Sequence, residues 1–161
     1  MTTYAIAQGI QVSIDNGVTW YKLSDHNRSP IAISYEVIES SKRMANGSMR
    51  KYVIAKKQKV STDWKDFPSL DSNVVDAGTN VKAGAWIKAF YEANVFNPVK
   101  VKITYSEQIA GTYTNAQTNT STASTVTYYM TSFSYDITKR RIGATGLGYD
   151  YADIKIEFTE I

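Results

Sequence analysis

Cysteine is absent from the chain, and His26 is its one histidine. The first absence excludes disulfides, thiolate nucleophiles and cysteine-ligated zinc, so stability has to come from packing or from assembly. The second excludes a metal site with two histidine ligands. A Ser-His-Asp triad around His26 stays open, but no G-x-S-x-G motif occurs, and the surrounding letters SDHNRSP are typical of a turn.

Long apolar runs are also missing. Thr, Asn, Gln and Ser interrupt the apolar stretches well before the roughly 20 residues that a membrane-spanning helix requires, so we expect no membrane insertion. The opening letters MTTYAIAQGIQVSIDNG lack the basic and continuous apolar regions of a signal peptide. We therefore expect synthesis in a cytoplasm, and the length predicts a single domain over residues 1–161.

Charge is unevenly distributed along the chain. Charged residues make up 20% of the sequence, yet residues 108–135 contain no Asp, Glu, Lys, Arg or His. Such a segment is a flexible loop, a surface between subunits, or a loop leading into a strand that protein covers on both faces. The positive excess lies in residues 42–59, KRMANGSMRKYVIAKKQK. It either faces phosphate or belongs to a solvated hairpin whose lysines prevent edge pairing.

Alternating apolar residues predict two hairpins in the first part of the chain. In the first, the letters IQVSI precede the turn DNG and the strand VTWYKL. In the second, IAISYEVI leads to a tip at Asn46-Gly47, and KYVIAKKQKV returns. The segment STDWKDFPSLDSNVVDAGTN, residues 61–80, is predicted to be irregular because it contains proline, glycine and several Asp and Asn residues.

An amphipathic helix is predicted within NVKAGAWIKAFYEANVFNP, residues 80–98, with Asn80 as its cap and an ion pair between Lys88 and Glu92. The stripe expected to pack on a sheet consists of small residues widened by aromatic ones: Val81, Ala85, Ala89, Ala93, Trp86, Phe90 and Phe96.

Strand periodicity resumes after the helix. Residues 99–105, VKVKITY, predict a half-buried strand, and SEQIAGTYTNAQTNTSTAST predicts a long polar loop. TVTYYMTSFSYDI then predicts a strand with large groups on both faces, TKRRIGATGLGYDY a basic turn, and ADIKIEFTEI a closing strand with Ile154, Ile156 and Phe158 inside. The predicted fold class is mainly β: an antiparallel β-sandwich or split barrel with one flanking α-helix.

Catalytic patterns are weak. Acidic residues cluster in the predicted irregular segment, but their spacing matches no calcium loop, and loop or cap roles explain them better: Asp63, Asp66, Asp71 and Asp76. GATGLG, residues 143–148, lies between two predicted strands and lacks the Lys-Ser/Thr of a phosphate loop. We therefore predict no catalytic residues, no metal site and no cofactor.

Aromatic residues near the end of the chain allow another kind of site. Six of them could form a platform for stacking a sugar or a nucleic-acid base, or could serve strands and subunit interfaces: Tyr128, Tyr129, Phe133, Tyr135, Tyr149 and Tyr151. The sequence does not separate these possibilities.

The order of elements resembles the tail tube, or major tail, proteins of long-tailed bacteriophages. The resemblance rests on the hairpin ISYEVIESSKRMANGSMRKYVIAKKQKVSTDW, the helix GAWIKAFYEANVF, the long uncharged loop, and the closing pair YYMTSFSYDITKR and YADIKIEFTEI. It covers nearly the whole chain as a pattern of elements and includes no residue signature.

The resemblance implies a structural virion protein without enzymatic activity. Its subunits would form hexameric rings that stack into a hollow tube, which encloses the tape measure protein, contacts other tail proteins and later passes DNA without sequence preference. The implied contacts between subunits or rings lie in residues 42–49 and 107–124, with these candidates: Lys42, Arg43, Met44, Asn46, Met49, Ile109, Tyr113, Asn115, Gln117 and Asn119. Basic residues that face DNA or an interface would be Lys51, Lys56, Lys57 and Lys59.

Two alternatives remain at this point. The first is another tail component with the same fold, a terminator or a baseplate ring protein. The second is a carbohydrate-binding β-sandwich that uses the tyrosines, which saturable sugar binding by a monomer would favour.

Overall fold

The computed structural model describes residues 9–70, 81–109, 112–118, 127–142 and 148–161, with the backbone alone for 104–109 and 112–118. These residues form, in chain order, β1 (Gly9–Ser13), β2 (Tyr21–Leu23), β3 (Ala32–Arg43), β4 (Met49–Pro68), β5 (Val81–Lys82), α1 (Gly84–Asn94), β6 (Lys100–Ile109), β7 (Thr112–Thr118), β8 (Tyr128–Ile142) and β9 (Gly148–Glu160).

The described strands form two sheets that pack as a sandwich. One sheet has the order β5-β2-β1-β6-β7, and the other has the order β3-β4-β9-β8. Neighbouring strands are antiparallel except for β2 and β5, which are parallel. The predicted fold class, a mainly β antiparallel sandwich with a flanking helix, is confirmed.

The core follows the period-two pattern that buries one face of a strand. Val60 and Trp64 of β4 are fully buried between the sheets. The prediction for the last strand is confirmed, because Ile154, Ile156 and Phe158 are all at most 1% exposed. The opposite sheet contributes a matching row from β1 and β6: Ile10, Val12, Val101 and Ile103.

The two sheets meet at a corner made by Val99 and Tyr128. Each residue donates its main-chain N–H to the carbonyl of the other at 2.8 Å. This bridge connects the two sheets, because Val99 directly precedes β6 in one sheet and Tyr128 begins β8 in the other.

The predicted helix is present, but its buried face differs from the prediction. Ile87 and Phe90 are buried with Gly84, whereas Ala89 and Ala93 are exposed and Phe96, beyond the helix, is 90% exposed. The prediction that a stripe of small residues is buried is wrong. Val81 belongs to β5, and the helix begins only at Gly84, three residues after Val81. Two of the aromatic residues predicted to widen the stripe do face the core: Phe90 is buried and Trp86 is partly buried, and their ring centroids lie 5.0 Å apart.

The first residue of the helix lies close to the end of β4. A Cβ at Gly84 would lie 2.8 Å from the carbonyl oxygen of Pro68, so glycine allows the helix to begin close to the sheet. The N-cap position is Ala83, and Asn80 lies outside the described residues. The predicted ion pair is confirmed, since Lys88 Nζ lies 2.7 Å from Glu92 Oε1.

Two predictions of irregular structure are wrong for part of their length, and residues 71–80, 110, 111 and 119–124 lie outside the described residues. Residues 61–68 continue β4, because Thr62, Trp64 and Phe67 supply the inward face of a strand. Within the predicted loop 107–124, residues 107–109 belong to β6 and 112–118 to β7, which pair in register from Ile103–Thr118 to Ile109–Thr112. Thr and Tyr have high strand propensity, which accounts for a strand in a segment without charges.

The prediction for β8 is also corrected, since a register shift between Met130 and Ser132 changes the side to which its residues point. Tyr128 and Met130 are buried before the shift, and Phe133 is partly buried after it. Tyr129 is 41% exposed, so the described residues do not cover both faces of this strand.

Candidate assembly surface

The β3–β4 hairpin extends far beyond the rest of its sheet. β9 pairs with β4 from Lys59 to Pro68, whereas β3 follows β4 from Ser61 back to Met49. Residues 35–58 therefore form a two-stranded projection, here called the arm. At about 3.3 Å per residue it is roughly 30 Å long, similar to the part of β4 that lies in the sandwich.

Large apolar side chains are exposed along the arm. Tyr52 is 71% exposed and Ile54 is 66% exposed, and most of the arm's other large apolar residues are also open to solvent: Tyr35, Val37, Ile38, Met44, Met49 and Val53. Isolated two-stranded hairpins are marginally stable in water. An exposed apolar surface of this kind is typical of an interaction site.

Buried polar contacts hold the base of the arm. Gln58 is 8% exposed, accepts a hydrogen bond from the buried Tyr128 hydroxyl and donates one to the Tyr35 hydroxyl at 3.3 Å. The Gln58 main-chain N–H donates to Glu160 Oε2 at 2.8 Å. These contacts support the base of the arm, where β3 and β4 continue without a break from the sandwich.

The tip of the arm is an ordered turn, and the predicted tip candidates lie on it. Asn46 Oδ1 accepts hydrogen bonds from the N–H of Ser48 at 3.1 Å and from its hydroxyl at 2.6 Å. The N–H of Met44 donates to the Ser48 carbonyl at 2.7 Å, and Gly47 adopts a φ of 80°. Lys42, Arg43 and Met49 flank this turn on the last paired positions of β3 and β4.

The arm and the adjoining Lys59 together contain seven cationic side chains and two carboxylates. Lys51 Nζ lies 2.5 Å from Glu39, and Lys59 Nζ lies 3.0 Å from Glu36. The hydrogen bond to Glu36 raises the pKa of Lys59 above its ordinary value.

Two further lysines have partners of other kinds. Lys56 lies 4.2 Å above the Tyr35 ring, and Lys57 donates to the main-chain oxygen of Ile161. All four lysines predicted to face DNA or an interface therefore already contact groups of this chain. Within the described residues, no carboxylate lies within ion-pair distance of the remaining cations, which cluster at the tip: Lys42, Arg43 and Arg50.

The other predicted interface candidates occupy β6 and β7. Ile109 pairs with Thr112, and Tyr113, Asn115 and Gln117 pair with residues of β6 on the edge strand β7. Asn119 lies outside the described residues. These residues are separated from the arm in sequence and sheet, so the structure distributes the candidates over two hairpins.

The six aromatics near the end of the chain do not form a single platform. Tyr128 is fully buried, and Phe133 stacks on Tyr91 of the helix with ring centroids 4.4 Å apart. Tyr149 and Tyr151 contact each other on β9, with ring centroids 5.5 Å apart. Nor do three metal-ligating side chains come together anywhere in the described ranges.

Of the exposed apolar residues of the arm, sequence reasoning selected Met44 and Met49 at the tip and missed the others: Tyr35, Val37, Ile38, Tyr52, Val53 and Ile54. The signal was present, because Ile38, Val53 and Ile54 interrupt the alternation with polar residues where β3 and β4 shift register. A hairpin that shows apolar residues on both faces has no single face to bury, and this pattern favours an external partner.

Comparison of the chain with protein-family models, with curated proteins and with solved structures finds no match in any of the three. Among the described residues, no helix combines the length and the apolar character needed to cross a membrane.

Proposed function

We propose that this chain is a noncatalytic assembly subunit, and specifically a tail tube protein of a long-tailed bacteriophage. Its copies form rings, hexameric by resemblance, and the rings stack into a hollow tube around the tape measure protein that later conducts DNA. In this proposal the protein acts in the virion and the arm connects one copy to the next.

The observation that carries the proposal is the exposed apolar surface of the arm. Tyr52, Val53 and Ile54 are each more than half exposed, and they lie on a hairpin that no other described strand covers. Burying apolar surface contributes about 25 cal/mol per Å², so association of several such side chains is strongly favourable. Among the described strands, β3, β7 and β8 lie at sheet edges, which suit extension by a neighbouring copy.

Electron microscopy across a concentration series, paired with light scattering for mass, tests this proposal. We expect rings or hollow filaments above a threshold concentration and monomers below it. A monomer at every concentration, together with saturable glycan binding, would contradict the proposal and favour a carbohydrate-binding module. Rings that never stack would instead indicate a terminator or a baseplate ring protein.

A further inference from the structure

Two like-charged pairs of opposite sign lie on the sheet that contains the arm. Lys42 pairs in register with Arg50 at the arm tip, and Asp136 pairs in register with Asp153 between β8 and β9. Like charges directly opposite each other in an antiparallel sheet repel and destabilise it. Each pair is therefore an unfavourable arrangement that a group of the other sign would relieve.

Both pairs lie in open concave surfaces. Lys42 and Arg50 line a depression of about 390 Å³ together with Tyr52 and Met44. Asp136 and Asp153 line one of about 320 Å³ whose charged lining consists of three carboxylates and two lysines, the others being Asp63, Lys65 and Lys155. Within the described residues neither Asp136 nor Asp153 forms an ion pair, although Asp153 Oδ1 accepts the Asp66 N–H at 3.0 Å.

The two pairs cannot meet within one copy. The level of Asp153 on β4 lies between Trp64 and Phe67, whereas Arg50 lies near the other end of the same continuous strand. At about 3.3 Å per residue, roughly 50 Å of strand separate them. A contact between the pairs therefore requires a second copy of the chain.

We propose that the arm tip of one copy binds the outer face of the β4–β9–β8 sheet of another, with the Lys42–Arg50 pair against the Asp136–Asp153 pair. This inference rests on the proposed function and assigns the receiving surface for the arm. Tyr52 and Met44 beside the cations add apolar contact, and the charges select the position at which the arm binds.

Charge-reversal variants distinguish this specific contact from an effect of the protein's overall charge on assembly. Lys42→Glu/Arg50→Glu makes the tip acidic, and Asp136→Lys/Asp153→Lys makes the receiving surface basic. Each double variant alone should raise the threshold concentration for assembly at least about tenfold, because like charges then face each other. An equimolar mixture of the two should assemble near the wild-type threshold, since the acidic tip of one fits the basic surface of the other.

A chain that carries all four substitutions is the matched control. It restores the net charge of the wild type and has complementary pairs again, so it should assemble as the wild type does. Circular dichroism and thermal unfolding of every variant show whether a loss of assembly reflects a loss of fold.

Zero-length amine–carboxyl crosslinking gives a second readout on the unmodified protein. In a mixture of ¹⁴N and ¹⁵N copies we expect a Lys42–Asp136 or Lys42–Asp153 link that joins one isotope to the other. Normal assembly by either double variant, or failure of the mixture and of the fourfold variant, would overturn this inference and leave the proposed function standing. A wild type that neither assembles nor forms the mixed-isotope link would overturn both.

Discussion

The hydroxyl of Tyr128 donates a hydrogen bond to the side-chain oxygen of Gln58, and both side chains are buried where the arm leaves the sheet. Tyr128 also forms the corner with Val99 that joins the two sheets. One residue thus connects the arm to the junction of the sandwich. This contact adds to the continuous strands β3 and β4, which run from the sandwich into the arm.

Tyr128→Phe removes the hydroxyl and leaves the buried Gln58 oxygen without this donor. We expect the free energy of unfolding to fall by about 1–3 kcal/mol, the usual cost of an unsatisfied buried polar group. Urea denaturation measures the change. Tyr129→Phe is the matched control, because that neighbour is 41% exposed and its change should stay within about 0.5 kcal/mol. Equal effects of the two substitutions would contradict the role given to Tyr128.

Gly84→Ala should destabilise the protein even though alanine usually favours a helix. The added Cβ would lie 2.8 Å from the Pro68 carbonyl oxygen, a backbone atom that cannot rotate away. We expect a loss of about 1–3 kcal/mol on thermal or urea unfolding, the usual range for overpacking. The reverse change at exposed Ala89, Ala89→Gly, should cost about 1 kcal/mol through propensity alone. A more stable Gly84→Ala variant would show that the helix does not begin this close to β4.

The loop between β1 and β2 should respond to acid through Asp15. Its Oδ1 accepts hydrogen bonds from the Ser13 hydroxyl at 2.7 Å and the Thr19 N–H at 2.8 Å, and these lower the pKa of Asp15 from 3.8 to about 2. A carboxyl whose pKa is lower in the folded state stabilises the fold at any pH above its pKa in the unfolded chain. That stabilisation is lost as the pH falls from about 4 to about 2.

An NMR titration of the Asp15 carboxyl checks this prediction, with an expected midpoint near 2. Asp15→Asn keeps a hydrogen-bond acceptor without a titrating charge, so its loop signals should not shift over the same pH range. A midpoint near 3.8 in the wild type would mean that the two hydrogen bonds do not form in solution.

Apolar residues of the arm should affect assembly without affecting the fold. Tyr52→Ser/Ile54→Ser removes two side chains that are 71% and 66% exposed, so the free energy of unfolding should change by no more than about 0.5 kcal/mol for each site. Light scattering should show that this variant stays monomeric at concentrations where the wild type assembles. Val18→Ser/Phe96→Ser is the control, since these side chains are 83% and 90% exposed on the body. If the control lost assembly and the arm variant kept it, the assembly surface would lie on the body.

The strands that bury one face were predictable from sequence, and the exceptions have physical causes. Ile154, Ile156 and Phe158 alternate with polar residues and are buried as predicted. Proline, glycine and several Asp and Asn residues predict an irregular segment over residues 61–80, yet within it Trp64 and Phe67 fill the core on either side of the register shift in β4. Tertiary packing outweighed local propensity there.

The candidate site was predictable only in part. The turn at Asn46-Gly47 located the arm tip, because its residues have strong turn preferences. The length of the arm depends instead on where β9 stops pairing with β4, at Lys59, and this is a long-range property that no local pattern contains. The ion pairs Lys51–Glu39 and Lys59–Glu36 likewise depend on the register of β3 against β4.

Hydrogen exchange of the arm amides, compared between a dilute and a concentrated sample, tests the central claim most directly. Among the described strands β3 lies at the edge of its sheet, so the amides on its outward side should exchange quickly when the protein is dilute. Assembly through the arm predicts strong protection of residues 37–56 in the concentrated sample, with little change in β1 and β9. Equal exchange of these residues at both concentrations, in a sample that microscopy shows to be assembled, would contradict the arm as the assembly surface.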